Sequence, residues 1–240
     1  NQTIYVQAIN QATGCISKRT LTLTVLKIPT PKTDPTALIK CDDNAPGDQF
    51  EVFDLTQNES YIMNADSTVT LHYYPSYTDA VNNTNELLTP TAANVKNNVW
   101  IRVSSNNFIN SLNQNCYVLV EQPIIVNPLP AVTASISPYV LCDFNNPGNE
   151  KEFFDLTTKT TEILGASQLP SNFTVSFYTT QTAAQAGTGA IATPTAFENT
   201  SNPQTIYVRI VNNATGCVNA TGSFELKINP LPSATAPIDF

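Results

Sequence analysis

The amino-acid sequence predicts an all-β protein, built as tandem immunoglobulin-like antiparallel β-sandwich repeats of about 100 residues. Three observations carry that prediction. Cys15, Cys116 and Cys217 are spaced by 101 residues, and so are Cys41 and Cys142. Apolar residues alternate with polar ones at a period of two: Phe224, Leu226 and Ile228 against Glu225 and Lys227, and Val69, Leu71 and Tyr73 against Thr70, His72 and Tyr74. That is the pattern of strands with one buried and one wet face. Asn and Thr together make up 59 of 240 residues, a composition of turns and strands.

The blocks around the cysteines confirm the repeat. Cys41-Asp-Asp-Asn-Ala-Pro-Gly47 recurs as Cys142-Asp-Phe-Asn-Asn-Pro-Gly148, and Phe53-Asp-Leu-Thr56 as Phe154-Asp-Leu-Thr157. Thr89-Pro-Thr-Ala92 recurs as Thr193-Pro-Thr-Ala196, Gln2-Thr-Ile-Tyr-Val6 as Gln204-Thr-Ile-Tyr-Val208, and Asn127-Pro-Leu-Pro130 as Asn229-Pro-Leu-Pro232. The chain therefore divides into the C-terminal part of one repeat (1–30), two full repeats (31–130 and 131–230), and a linker or start of another (231–240). Beginning inside a repeat, it reads as a piece of a longer protein. Length differences fall in connections such as Ser104–Asn115, where surface loops tolerate them. No window carries a sustained helical stripe; Thr157–Leu164 is the one candidate for a short helix or turn.

Composition excludes several functions. A net charge of −8 and a pI near 4.5, with eleven Lys and Arg scattered singly, argue against nucleic acid or an anionic membrane as partner. No apolar run is long enough to span a bilayer as a helix. The single histidine, His72, has Ser176 as its counterpart in the next repeat, so it reads as a surface residue and not as a general base. Trp100 aligns with Tyr207 and Tyr5 and reads as a core aromatic. The chain is expected to be no enzyme.

The order Cys-Asp-x-Asn…Gly…Phe-Asp-Leu-Thr, then Ile-Tyr-Val-Arg, Thr-Gly-Cys and Asn-Pro-Leu-Pro-x-Ala resembles the repeats of very large Bacteroidetes surface proteins. These are gliding-motility adhesins of the SprB type, exported by the type IX secretion system. The resemblance spans essentially the whole chain. It implies an extracellular, cell-surface protein whose repeats form a stalk, with adjacent repeats of the same chain as first partners and surface polysaccharide or other cell-surface proteins beyond. The alternative is a carbohydrate- or surface-binding accessory module of a secreted enzyme, for which the loop around Phe108 is the best binding candidate.

Five cysteines at fixed register in an extracellular chain predict disulfides. Two frames are open. Cys41–Cys116 with Cys142–Cys217 makes every repeat self-contained, leaving Cys15 to pair upstream of Asn1; this is the expected frame. Cys15–Cys41 with Cys116–Cys142 would instead staple neighbouring repeats. No CxxC or nearby histidine accompanies the thiols, which argues against zinc. The acidic loop gathers oxygen donors around a glycine turn: Asp42, Asn44 and Asp48, and again Asp143 and Asn145. These are candidate calcium ligands. The competing reading is a turn whose side chains cap backbone N–H groups. No cofactor is required by either.

Overall fold

The computed structural model describes residues 1–109 and 115–232, the side chains of 107–109 excepted. Phe108 and the tip of its loop thus lie outside the described residues. The chain forms two compact units: residues 1–40 with 50–126, and residues 41–49 with 127 onward. The units therefore depart from the repeat boundaries: residues 1–30 cluster with the first unit, while residues 127–130 and the acidic loop belong to the second, so that the strands Leu38–Cys41 and Ile124–Asn127 each end one residue past the division.

The first unit contains β1 (Gln2–Ile9), β2 (Ile16–Leu23), β3 (Leu38–Cys41), β4 (Glu51–Phe53), α1 (Glu59–Met63), β5 (Val69–Tyr74), α2 (Tyr77–Asn82), β6 (Ala93–Val95), β7 (Val99–Ile109), β8 (Asn115–Gln122) and β9 (Ile124–Asn127). Its sheets are β1-β2, β3-β9, β4-β6 and β5-β7-β8. The second unit contains β10 (Tyr139–Cys142), β11 (Phe153–Phe154), α3 (Thr160–Leu164), β12 (Phe173–Tyr178), α4 (Gln181–Ala186), β13 (Phe197–Glu198), β14 (Gln204–Asn212) and β15 (Val218–Asn229). Here one sheet runs β10-β15-β14-β12, beside a small β11-β13 pair. The twelve-residue β15 is continuous where β8 and β9 are separate. The break falls at Pro123, which has no N–H to give a ladder and stands where the second repeat has Glu225.

The period-two reading holds where it was sharpest. In β14, Ile206, Val208 and Ile210 are fully buried, and in β15 Phe224, Leu226 and Ile228 join them. Phe154, Leu156, Ile163 and Phe177 complete this core. In the first unit Phe53, Leu55, Ile62, Val99, Ile101 and Val103 form its counterpart. The chain is mostly β in two tandem domains, but not purely antiparallel: β10 runs parallel to β15, with Tyr139 opposite Leu226. That pairing brings the start of the repeat beside its end. Trp100 is a second departure. It alternates with buried Val99 and Ile101, so its ring lies on the opposite face from them, half-buried, across from fully buried Tyr74 and edge-on to Tyr77 of α2 at 4.9 Å.

The short helices are capped, not amphipathic stripes. Asp54 Oδ1 accepts from the Thr56 N–H and hydroxyl at the start of a 3₁₀ turn, and Asp155 does the same for Thr157. The Phe-Asp-Leu-Thr motif is thus a cap between two core residues. The turn after Asp155 leads into α3, so a short helix does occupy Thr157–Leu164. Helices α2 and α4, which carry no sequence stripe, start at capping Ser76 and Thr180. Their ends are gripped by an arginine: Arg102 Nη1 donates to the Ala80 and Val81 carbonyls, and Arg209 Nη1 to those of Ala184 and Gln185. A cation at a helix C-terminus satisfies carbonyls that have no helical partner.

Candidate functional site: a disulfide junction

The Ala-Thr-Gly-Cys motif is the turn between β14 and β15. Asn212 Oδ1 accepts from the Ala214 and Thr215 N–H groups, and Gly216 takes a positive φ of 74° that glycine adopts without strain. The Asn212 N–H donates to the Cys217 carbonyl at 2.9 Å, closing the turn and fixing Cys217 at its base. The same geometry recurs at Asn10, Gly14 and Cys15. Cys217 is fully buried, whereas Cys15 is exposed.

Cys41 arrives from the other direction. It is the last residue of β3, and the next N–H, that of Asp42, donates to the Asn127 carbonyl at 2.9 Å. Cys217 Sγ lies 3.9 Å from the same carbonyl oxygen. Both cysteines converge on Asn127, the first residue of Asn-Pro-Leu-Pro, and they are bonded to each other with their Cα atoms 5.6 Å apart. The expected bonds Cys41–Cys116 and Cys142–Cys217 are therefore not the ones formed, and neither is a Cys15–Cys41 or Cys116–Cys142 staple. Cys15, Cys116 and Cys142 are unpaired. Cys41 and the 42–49 loop belong to the same compact unit as Cys217, 176 residues on.

Asn219, Gly222 and Val132, which no sequence motif marks, complete the junction. Asn219 Nδ2 donates to the Pro130 carbonyl at 2.9 Å, tying the Asn-Pro-Leu-Pro segment to β15. Gly222, opposite Val208, leaves room for Val132: a Cβ there would stand 2.6 Å from Val132 Cγ2. A shallow groove lies among Asp42, Pro46, Gly47, Leu129, Asn219 and Thr221. The recurrence of Asn-Pro-Leu-Pro was the available signal, since a segment repeated intact between two cores has a structural task.

The acidic loop shapes the junction through its aspartates. Asp42 and Asp143 are both buried, and their Oδ2 atoms accept from the Gly47 and Gly148 N–H groups at 2.7 and 2.5 Å. Those glycines have φ of 106° and 96°, which turns each loop back on its aspartate. In the second copy Glu152 Oε1 accepts from the Phe144 and Asn145 N–H groups at 2.6 Å each. Of the candidate calcium ligands, Asn44, Asp48 and Asn145 sit on the exposed rim. Among the described residues no group of three His, Cys, Asp or Glu side chains gathers as a metal site. Asp42 Oδ1 and Asp143 Oδ1 are buried with no hydrogen-bond partner. Through their Oδ2 atoms the two aspartates close their loops on the Gly47 and Gly148 N–H groups.

His72 Nδ1 lies 2.7 Å from Glu86 Oε1, both about one-third exposed. Among the described residues, no helix is long and apolar enough to cross a membrane. A disulfide of this kind fits a non-cytoplasmic location.

A family model described as the Flavobacterium inter-domain disulphide bond domain matches residues 37–130 and again 138–232. Cys41 falls in the first matched segment and Cys217 in the second, so the bond links the two domains. No curated protein matches the chain.

Proposed function

The chain belongs to the Flavobacterium inter-domain disulphide bond domain family, and from that premise we propose that it is a stretch of the stalk of a very large secreted cell-surface adhesin. The parent is a gliding or attachment protein of the SprB type, delivered by type IX secretion, and this stretch is non-catalytic. One observation carries the reading: two tandem repeats of one type are joined by a covalent bond between them. Such a bond secures one domain to the next.

The repeat extends the logic to the unpaired cysteines. Cys142 ends β10 as Cys41 ends β3, and the Asp143 N–H donates to the Asn229 carbonyl as that of Asp42 does to Asn127. Cys142 is placed to bond a cysteine equivalent to Cys217 in a following domain. Cys116, one repeat before Cys217, is placed to receive one from a preceding domain. Each bond forms as two thiols pass two electrons and two protons to a disulfide-donating oxidant outside the cytoplasm. The polar groups support a structural role as well, since Asp54 and Asp155 cap turns, Asp42 and Asp143 close loops, and His72 pairs with Glu86. Repetition would multiply weak contacts to polysaccharide or to other surface proteins into useful avidity.

The test is cellular. Antibodies raised against the chain should label intact, unpermeabilised bacteria, and deletion of these repeats from the parent should impair surface attachment or gliding. Labelling that requires permeabilisation would overturn the surface reading. Loss of a secreted hydrolytic activity with unchanged attachment would instead identify an enzyme accessory.

A further inference from the structure

We propose that the Cys41–Cys217 bond serves a mechanical function as a covalent bypass, which removes the cores between the two cysteines from the load when the chain is pulled along its length. The inference rests on the stalk reading for its purpose, but its covalent geometry stands without it. Tension entering at the N-terminal side reaches Cys41 and crosses to Cys217 through the two sulfur atoms. The Cα atoms of these residues are 5.6 Å apart, and that separation cannot grow whatever happens to the 175 residues between them. Those residues include nearly all of the first unit's core, from Phe53 to Ile124, and the second unit's core from Ile136 to Ile210. Without the bond, the same segment could extend to roughly 600 Å at about 3.5 Å per residue.

The frame of the bond matters as much as its presence. Bonds within each repeat, Cys41–Cys116 and Cys142–Cys217, would close two loops of about 75 residues and leave the stretch from Cys116 to Cys142 in the load path. That stretch holds nearly all of β8, and the whole of β9, the Asn-Pro-Leu-Pro segment and β10. Under tension it would extend by roughly 90 Å, and the connection between the domains would be the weak point. The observed bond spans that connection. It also makes the protection redox-dependent, because one thiol–disulfide exchange returns residues 42–216, with the core residues they carry, to the load path.

Single-molecule force spectroscopy on the full chain, held by handles at Asn1 and Phe240, tests the proposal. The oxidised chain should release only the contour outside the bond, residues 1–40 and 218–240, at most about 220 Å. Reduction of the same molecules should add roughly 600 Å. Cys142→Ser should leave the oxidised trace unchanged. Release of a further ~90 Å by the oxidised chain, or a gain of roughly 260 Å on Cys142→Ser, would show within-repeat bonds and overturn the bypass. An oxidised chain that already releases its whole contour would overturn it as well. Because reduction acts on the intact folded protein, the result does not depend on a cysteine variant folding. A failed bypass leaves the surface-labelling outcome untouched, and the reverse also holds.

Discussion

Removing the Cys41–Cys217 bond should destabilise the second unit by about 4–5 kcal/mol. The bond closes a loop with a sequence separation of 176 residues, and in the chain-entropy model a loop of that length constrains the fully unfolded chain by about 5 kcal/mol. The first unit can stay folded while the second opens. Residues 50–126 then act as a body of fixed size, and the flexible part of the loop shrinks to 42–49 and 127–216, about 100 residues. The model gives about 4.7 kcal/mol for that length. The two cases differ little because the cost grows only with the logarithm of length. Either value is a large fraction of a domain's total stability, typically about 5–15 kcal/mol. Two units need not unfold together, so the assay must resolve them. Native-state hydrogen exchange on oxidised and reduced chain does so, reading β14 and β15 for the second unit and β5 and β7 for the first. Protection of β14 and β15 should fall by about three orders of magnitude or more on reduction, and Cys217→Ala should reproduce the loss. Cys116→Ala and Cys142→Ala should leave it within a few tenths of a kcal/mol. A loss under ~1 kcal/mol on reduction, or an equal loss from Cys142→Ala, would refute the loop argument and the pairing behind it.

Three other perturbations probe the junction and its unit. Gly222→Ala should cost about 1–3 kcal/mol by overpacking against Val132, and Val132→Ala should recover much of it in the double variant, measured by denaturant melts. Asp42→Ala should cost about 1–3 kcal/mol by leaving the Gly47 N–H without its acceptor; an equal cost in chelator and in millimolar calcium supports the turn role, while a cost that appears only with calcium would assign an ion to the loop. Glu162 is held down to about 2, first by the Ser137 N–H and then by Lys159. A carboxyl lowered on folding contributes stability above its unfolded value and loses it as pH falls toward 2. Acid titration of the second unit should therefore show a decline between about pH 5 and pH 2 that Glu162→Gln flattens; an unchanged acid limb would contradict it.

Particular residues show what could be read in advance. The core faces of β14 and β15 follow from alternation, because a strand with one buried face must place an apolar residue at every second position; in β5 the alternation fails at Tyr74, which the pattern puts on the wet face and which is fully buried. The short helix after Asp155 follows from a cap beside apolar residues. Helices α2 and α4 did not, since a single turn and a half leaves too few residues for a periodic stripe and depends on Ser76, Thr180 and the clamping arginines. Trp100 was misplaced because alignment with another aromatic fixes a position but not which face it takes. The calcium candidates were legible as a loop, while the burial of Asp42 and the exposure of Asn44 and Asp48 were not.

By itself the sequence determined the repeat, its register and the two kinds of cysteine. These are properties of the chain's order, and self-comparison exposes them without any knowledge of distance. Only the tertiary structure decided which cysteine meets which. A disulfide requires Cα atoms within about 4.4–6.8 Å, and separations of 26, 75 and 176 residues satisfy that equally well on paper. In the fold the Asp42 N–H bonds to the Asn127 carbonyl, Cys217 Sγ stands 3.9 Å from that same oxygen, and Cys41 is bonded to Cys217.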